Sequence, residues 1–211
     1  MSRRGNRTTP TATSGRLAVA FTFMRTAQLI LASFIFVLGG AVWAADVISL
    51  TELAKPGRVL MLRHAKAPGI GDPPNFKLDD CSTQRNLDAA GWAQAQALGR
   101  RLAQVGVREA RVYSSQWCRC LETARLLNLG PVTPQPALNS FFARSGQRET
   151  TLVALRSFLA ALPTSGPPVV MVTHQFTINA FTSEGTASGG GSVFELNGSG
   201  APRLLGAIEP G

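Results

Sequence analysis

The segment RVLMLRHAKAPG, residues 58–69, decides how this chain is read. Val59, Leu60, Met61 and Leu62 form an unbroken apolar run of strand length, the pattern of a strand buried on both faces. Arg63 and His64 follow at once, so the strand leads a cation and an imidazole straight out of the core. Pro68 and Gly69 then break regular structure. A buried strand ending in polar side chains suits an open α/β sheet, where ligands bind outside the carboxyl ends of the strands.

The pattern recurs outward from that strand. DVISLTELAKPG (46–57) predicts a short helix closed by Pro56 and Gly57, and residues 65–86 a loop. From Asp88 to Val105 the apolar spacing is helical, with Asp88 as cap and Gly106 as stop. EARVYSS predicts a second strand, QWCRCLETARLLNLG a second helix, PVTPQPAL an extended segment and ETTLVALRSFLAALP a third helix. PPVVMVTHQ supplies a third strand, and SVFELN and PRLLGAIEP two more. Strands alternating with helices give a three-layer α/β/α sandwich around a largely parallel central sheet. The triplet Gly189–Gly191 precedes a strand and carries no following Lys-Ser or Lys-Thr, so it fails as a phosphate loop and is expected to be a tight turn or mobile loop.

The formal charge of +9 over 211 residues dissolves when mapped. Arg3, Arg4, Arg7, Arg16 and Arg25 lie in an opening segment that contains no acid. The remaining 16 basic residues face all 12 acids, a surplus of four. No basic face with aromatic readers is present, which excludes nucleic-acid binding. Arg25 is followed by uncharged TAQLILASFIFVLGGAVWAA, ending in small residues, the plan of a secretory signal peptide with maturation after Ala44. Residues 1–44 are therefore expected to be leader and 45–211 one domain, periplasmic or otherwise exported. An uncleaved membrane anchor with the domain outside the cytoplasm is the alternative. Met24 offers a second start. Of the three cysteines, Cys118 and Cys120 are i,i+2 neighbours on one helix and face apart. A disulfide from Cys81 to one of them fits an exported protein. Their spacing does not suggest zinc.

Three strands end in polar residues: Arg63 and His64 at the first, Ser114 and Ser115 at the second, Thr173 and His174 at the third. The chain's two histidines both occupy such ends. Arg119 lies one turn into the helix after the second strand. Guanidinium forks match phosphate oxygens, and they disfavour protonation of a nearby imidazole, which keeps it nucleophilic. Attack of histidine on phosphorus follows. Two histidines without a third ligand suit a metal centre poorly, and serine hydrolysis lacks a Gly-x-Ser-x-Gly elbow.

LRHA, SSQWCRCLETA and VTHQ after three successive strands, with QRNLDAAGWAQAQALGRRL between the first two, resemble the histidine phosphatase superfamily, of phosphoglycerate-mutase-like fold, over about Val59 to Leu196. The resemblance implies a metal-independent phosphomonoester hydrolase that needs no cofactor. It implies His64 as the nucleophile, Arg63 and Arg119 as phosphate clamps, and His174 as a second contact to the transferred group. Arg85 and Gln175 are expected to contact substrate. DCSTQRNLD with a signal peptide in a short chain resembles the small exported branch that includes lipopolysaccharide core heptose phosphatase-like proteins. That implies a phosphorylated small molecule or a glycan-linked phosphate as partner.

The departures concern the proton donor. Family members with His-Asp at the third motif carry the acid there, whereas this chain has Gln175. Between Pro131 and Thr150 the only acid is Glu149. Asp72, Asp79 and Asp80 are expected to be solvated or capping. Arg144 and Arg148 could reach an outer charge of the substrate, Glu122 could hold an arginine, and Thr123 is expected to pack. Loss of the acid leaves a non-catalytic phosphoryl-binding protein as the rival. A phosphoglycerate mutase is a lesser one, disfavoured by export. The short connection from Ala137 to Glu149 leaves no room for a large cap.

Overall fold

The computed structural model describes residues 46–210. The expected leader, its maturation point after Ala44 and the alternative start at Met24 lie outside the described residues. Among those described, no helix is long and apolar enough to cross a membrane.

Six strands form one sheet: β1 (Arg58–Arg63), β2 (Arg111–Ser114), β3 (Val132–Pro134), β4 (Val169–Thr173), β5 (Gly191–Glu195) and β6 (Arg203–Ile208), in the order β3-β2-β4-β1-β5-β6. β1 to β4 are mutually parallel, and β5 and β6 close one edge as an antiparallel hairpin. Helices α1 (Ala89–Gln104), α2 (Cys118–Leu126), α3 (Arg148–Ala160) and α4 (Gln175–Thr182) complete the layers.

The two-residue period of the strands sorts side chains between two cores. Leu60, Leu62, Val170 and Val172 pack with Leu98 and Leu102 of α1 and Ala124 of α2. Val59, Met61, Val169 and Met171 pack with Leu155 and Leu159 of α3 and Ile178 of α4. The three-layer expectation holds, and the unbroken apolar runs of β1 and β4 are explained by burial on both faces.

Two local expectations are refined. The opening helix is a short 3₁₀ turn over Leu50–Ala54. Helix α4 had no place in the sequence reading, because its eight residues follow directly on β4 with no breaker between them. The glycine triplet is a tight turn. Gly189 has φ +75° and its N–H donates to the carbonyls of Arg63 and His64 (3.3 and 3.2 Å), while Arg63 N–H donates to Gly190 O (2.9 Å). A Cβ at Gly191 would stand 2.5 Å from Met61 O, so the hairpin lies against the end of β1 only because no side chain intervenes.

Candidate active site

The carboxyl ends of β1, β2 and β4 lie side by side in the sheet order, and they open into a cleft of about 500 Å³. His64 is the first residue after β1, its N–H bonded to Thr173 O (3.0 Å). The next N–H groups are also held: Ala65 donates to Thr123 Oγ1 (3.0 Å) and Lys66 to Gln94 Oε1 (3.0 Å). Thr123 Oγ1 in turn donates to Arg119 O (2.7 Å). Thr123 therefore does more than pack: it ties the segment after His64 to the helix that carries Arg119.

His64 is 3% exposed. Its Nδ1 faces Ala65 O at 2.8 Å, which fixes the proton on Nδ1 and leaves the Nε2 lone pair toward the cleft. Arg119 Nε–H points at that lone pair from 3.2 Å. Burial first, then the charges of Arg119, Arg85 and Arg63, push the imidazole down to about 3, the carbonyl of Ala65 opposing. His64 is therefore neutral across the physiological range.

His174 caps β4, its ring centroid 5.6 Å from that of His64. Its Nε2 lies 2.9 Å from Ser115 Oγ at the end of β2 and 3.5 Å from Cys120 Sγ. Burial, with His64 and the arginines behind it, holds His174 well below the usual imidazole range. The Cys120 thiol, buried, is pushed up to about 12 and stays protonated.

Arg63 donates through Nη1 to Thr186 O (2.6 Å), while its Nε is buried with no partner among the described residues. Arg85 braces the loop by donating to Gly71 O (2.8 Å) and to Ala67 O, and its side chain lines the cleft. Gln175 opens α4 and lines the cleft as well. Arg144 stands at the rim, while Arg148 starts α3, exposed and away from the cleft. Apolar side chains also line the cleft: Phe142 and Phe176 stack at 5.0 Å, and Ile70, Pro73 and Pro74 contribute to the same lining.

One expectation is overturned. Asp72 is neither solvated nor a cap. Its carboxylate takes Arg119 Nη1 and Nη2 (2.8 and 3.1 Å), Trp117 Nε1 (3.0 Å) and Arg85 N–H (3.0 Å), with the side chain 8% exposed. Burial works to raise its pKa, but the bonds and charge of Arg119 outweigh that and hold it below the usual carboxylate range. Asp80 does cap, accepting from Ser82 N–H (3.0 Å). Asp79 is exposed, Glu149 faces Arg156 at 3.9 Å on the surface, and Glu122 holds Arg125 there at 3.7 Å.

The open disulfide question resolves to Cys81–Cys118, leaving Cys120 as the free buried thiol. Gln84 reinforces that link, accepting from Cys118 N–H (3.0 Å) and donating to Lys77 O and Leu78 O. The loop that carries Asp72 and Arg85 is thus fastened to the first turn of α2. Among the described residues no three His, Cys, Asp or Glu side chains gather into a possible metal site.

The family profile of the histidine phosphatase superfamily (branch 1) matches residues 59–143, the span from β1 to the rim of the cleft. Residues 59–143 of the chain thus carry the histidine phosphatase superfamily pattern, and together with the solved structures it resembles this supports a phosphatase. Among solved structures it resembles a protein described as the phosphohistidine phosphatase SixA from Agrobacterium tumefaciens, with 25% identity and TM-score 0.51, covering 74% of this chain and 100% of that one. It also shares its fold with a protein histidine phosphatase SixA complexed with tungstate (17% identity, TM-score 0.50, 72% and 96% covered). A mycobacterial glucosyl-3-phosphoglycerate phosphatase complexed with inorganic phosphate is similar in fold too (17%, 0.50, 70% and 93%). No curated protein matches.

Proposed function

We propose that the protein hydrolyses phosphomonoesters without a metal, through a phosphohistidine formed on His64 Nε2. The observation that carries this reading is the state of that nitrogen: a lone pair freed by the Nδ1 bond to Ala65 O, on a neutral ring, beside the guanidinium of Arg119. A neutral imidazole is a competent nucleophile, and fixed guanidiniums stabilise the charge on a phosphoryl group in transfer. In this reading Arg63 Nε and Arg119 hold the phosphoryl oxygens. His174, oriented by Ser115, donates to the group once it is transferred. Arg85 and Gln175 contact the substrate from the loop and from the start of α4. Water then hydrolyses the phosphoenzyme.

The substrate class is a phosphorylated small molecule, with a glycan-linked phosphate as the finer suggestion. The named neighbours support the coarser statement: they are described as acting on phosphohistidine and on glucosyl-3-phosphoglycerate. Export to an oxidising compartment is part of the proposal, supported by the Cys81–Cys118 disulfide and the leader-like segment before Ala45.

The test is turnover of p-nitrophenyl phosphate with chelator present, with rapid acid-free quench and mass mapping of the phosphorylated residue. Wild type should turn over and carry an acid-labile phosphate on His64, and His64→Ala should do neither. A label elsewhere, or activity abolished by chelator, overturns the mechanism.

A further inference from the structure

The mechanism above lacks a proton donor for the leaving oxygen, and Gln175 stands where some relatives of this fold would supply one. Among the described residues that line the cleft, Asp72 is the only acid. It is attached to the same guanidinium that faces the nucleophile: Arg119 presents Nε to His64 Nε2 and both Nη groups to Asp72. A phosphoryl group held by Arg119 in front of His64 therefore sits beside the Asp72 carboxyl.

We propose, resting on the phosphomonoesterase reading, that Asp72 is the proton donor to the leaving group, and that the bound phosphoryl group itself arms it. In the empty site Asp72 serves as counter-ion. The groups facing it are Arg119 from α2 and Arg85 from its own loop. Arg63 from β1 lines the same cleft, the neutral His64 lies beyond Arg119, and the Trp117 indole N–H donates to it. Against its burial, the bonds and charge of Arg119, with the N–H groups of Arg85 and Trp117, keep Asp72 ionised. A phosphate dianion takes up the same guanidinium charge and adds like charge next to the carboxylate, which raises its proton affinity. Asp72 then takes a proton from solvent.

The step balances. His64 Nε2 donates its lone pair to phosphorus, the P–O bond to the leaving group breaks, and its electron pair goes to the leaving oxygen. The Asp72 proton joins that oxygen to give an alcohol. In the second half Asp72, now a carboxylate, takes a proton from the attacking water. The P–N bond breaks, its pair returns to Nε2, and orthophosphate leaves.

A positioning role through Arg119 and a proton-donor role predict different things, so Asp72→Asn is assayed on two esters of similar ring size. With benzyl phosphate, whose alkoxide leaves poorly, kcat/KM, which reports only the half-reaction in which the leaving group departs, should fall by about 10²- to 10⁴-fold. With p-nitrophenyl phosphate, whose phenoxide needs no proton, kcat/KM should fall by less than about tenfold. Retained p-nitrophenyl turnover also shows that the variant folds. Equal losses on the two esters, or no loss on benzyl phosphate, overturn the assignment and leave the phosphatase reading standing. A second arm does not depend on turnover: the heat of tungstate binding at pH 7 is measured in buffers of different ionisation enthalpy. Wild type should take up close to one proton per dianion and Asp72→Asn close to none, while equal uptake by both overturns the proposal. A wild type that neither binds tungstate nor hydrolyses either ester sinks the phosphoryl-site reading, and the role of Asp72 with it.

Discussion

Lowering the pH from 7.5 to 5.0 should destabilise this protein far more than an ordinary domain, and two histidines are the reason. His64 and His174 are 3% and 4% exposed, and both are neutral in the folded state. In the unfolded chain each titrates near 6.5. A folded pKa below the unfolded one means that the unfolded state binds more protons at any pH between the two. Stability is then fully present above 6.5 and declines as pH falls toward the folded value. For His64 that window runs from 6.5 down to about 3. For His64 the slope is about 1.4 kcal/mol per pH unit, and His174 works in the same sense. At pH 5.0 His64 has cost about 2 kcal/mol, a sizeable part of a typical folding free energy, and His174, displaced in the same direction by its burial, adds to that loss. Asp72 does not contribute in this window, because a carboxylate with a lowered folded pKa loses its stabilisation only as pH falls below the ordinary carboxylate range. The assay is urea denaturation followed by far-UV circular dichroism at both pH values, with the disulfide kept oxidised. Wild type should lose more than about 2 kcal/mol, and His64→Asn about 2 kcal/mol less than wild type. A wild type equally stable at both pH values, or a His64→Asn variant that falls as steeply as wild type, would refute the claim that these rings are held neutral by burial among arginines.

Two further outcomes test how the loop and the nucleophile are held. Replacing both Cys81 and Cys118 by serine opens a link across 37 residues and should lower stability by about 3–4 kcal/mol in the chain-entropy account, read from the shift in urea midpoint; an unshifted midpoint would count against the disulfide as a stabilising link. Thr123→Val keeps the shape but leaves the buried N–H of Ala65 without its acceptor. It should cost about 1–3 kcal/mol and lower kcat on both good and poor leaving groups, and a variant with wild-type melting and turnover would dismiss the tie.

β1 and β4 were legible because burial on both faces writes itself as consecutive apolar residues, and the polar residues at their ends could only stand at the carboxyl edge of a sheet. His64, His174, Arg63 and Arg119 followed from that placement, and the structure brings all four to one cleft. Helix α4 was not legible, since a strand running straight into a helix leaves no punctuation. Thr123 was misjudged as packing because its work depends on Ala65, distant in sequence and adjacent only after folding. Asp72 was the largest miss. It sits in Gly-Asp-Pro-Pro, where an aspartate ordinarily caps a turn or faces water, and nothing local distinguishes it from Asp79 and Asp80. A charge argument could have found it: a site that gathers Arg63, Arg85 and Arg119 around a buried imidazole needs an anion when it is empty, and the long loop after His64 is where one could come from.

That need also explains why the acid takes an unusual position. A buried guanidinium without a counter-ion is costly, and removing one partner of a buried pair typically destabilises by about 3–5 kcal/mol. Arg119, with its side chain 4% exposed, therefore requires a carboxylate whenever substrate is absent. An acid fixed on a helix or strand near the nucleophile would satisfy that need but would stay ionised and compete with the phosphate for the same fork. Placed on a loop, the carboxylate can yield the fork to the incoming dianion. The loop cannot drift far, because Cys81–Cys118 and the Gln84 bonds fasten it to the first turn of α2. The carboxyl consequently stays within reach of the atom that leaves. The same electrostatics that stabilise the empty site thus set the protonation change the filled site requires, and the disulfide beside Arg119 limits how far the two partners can separate.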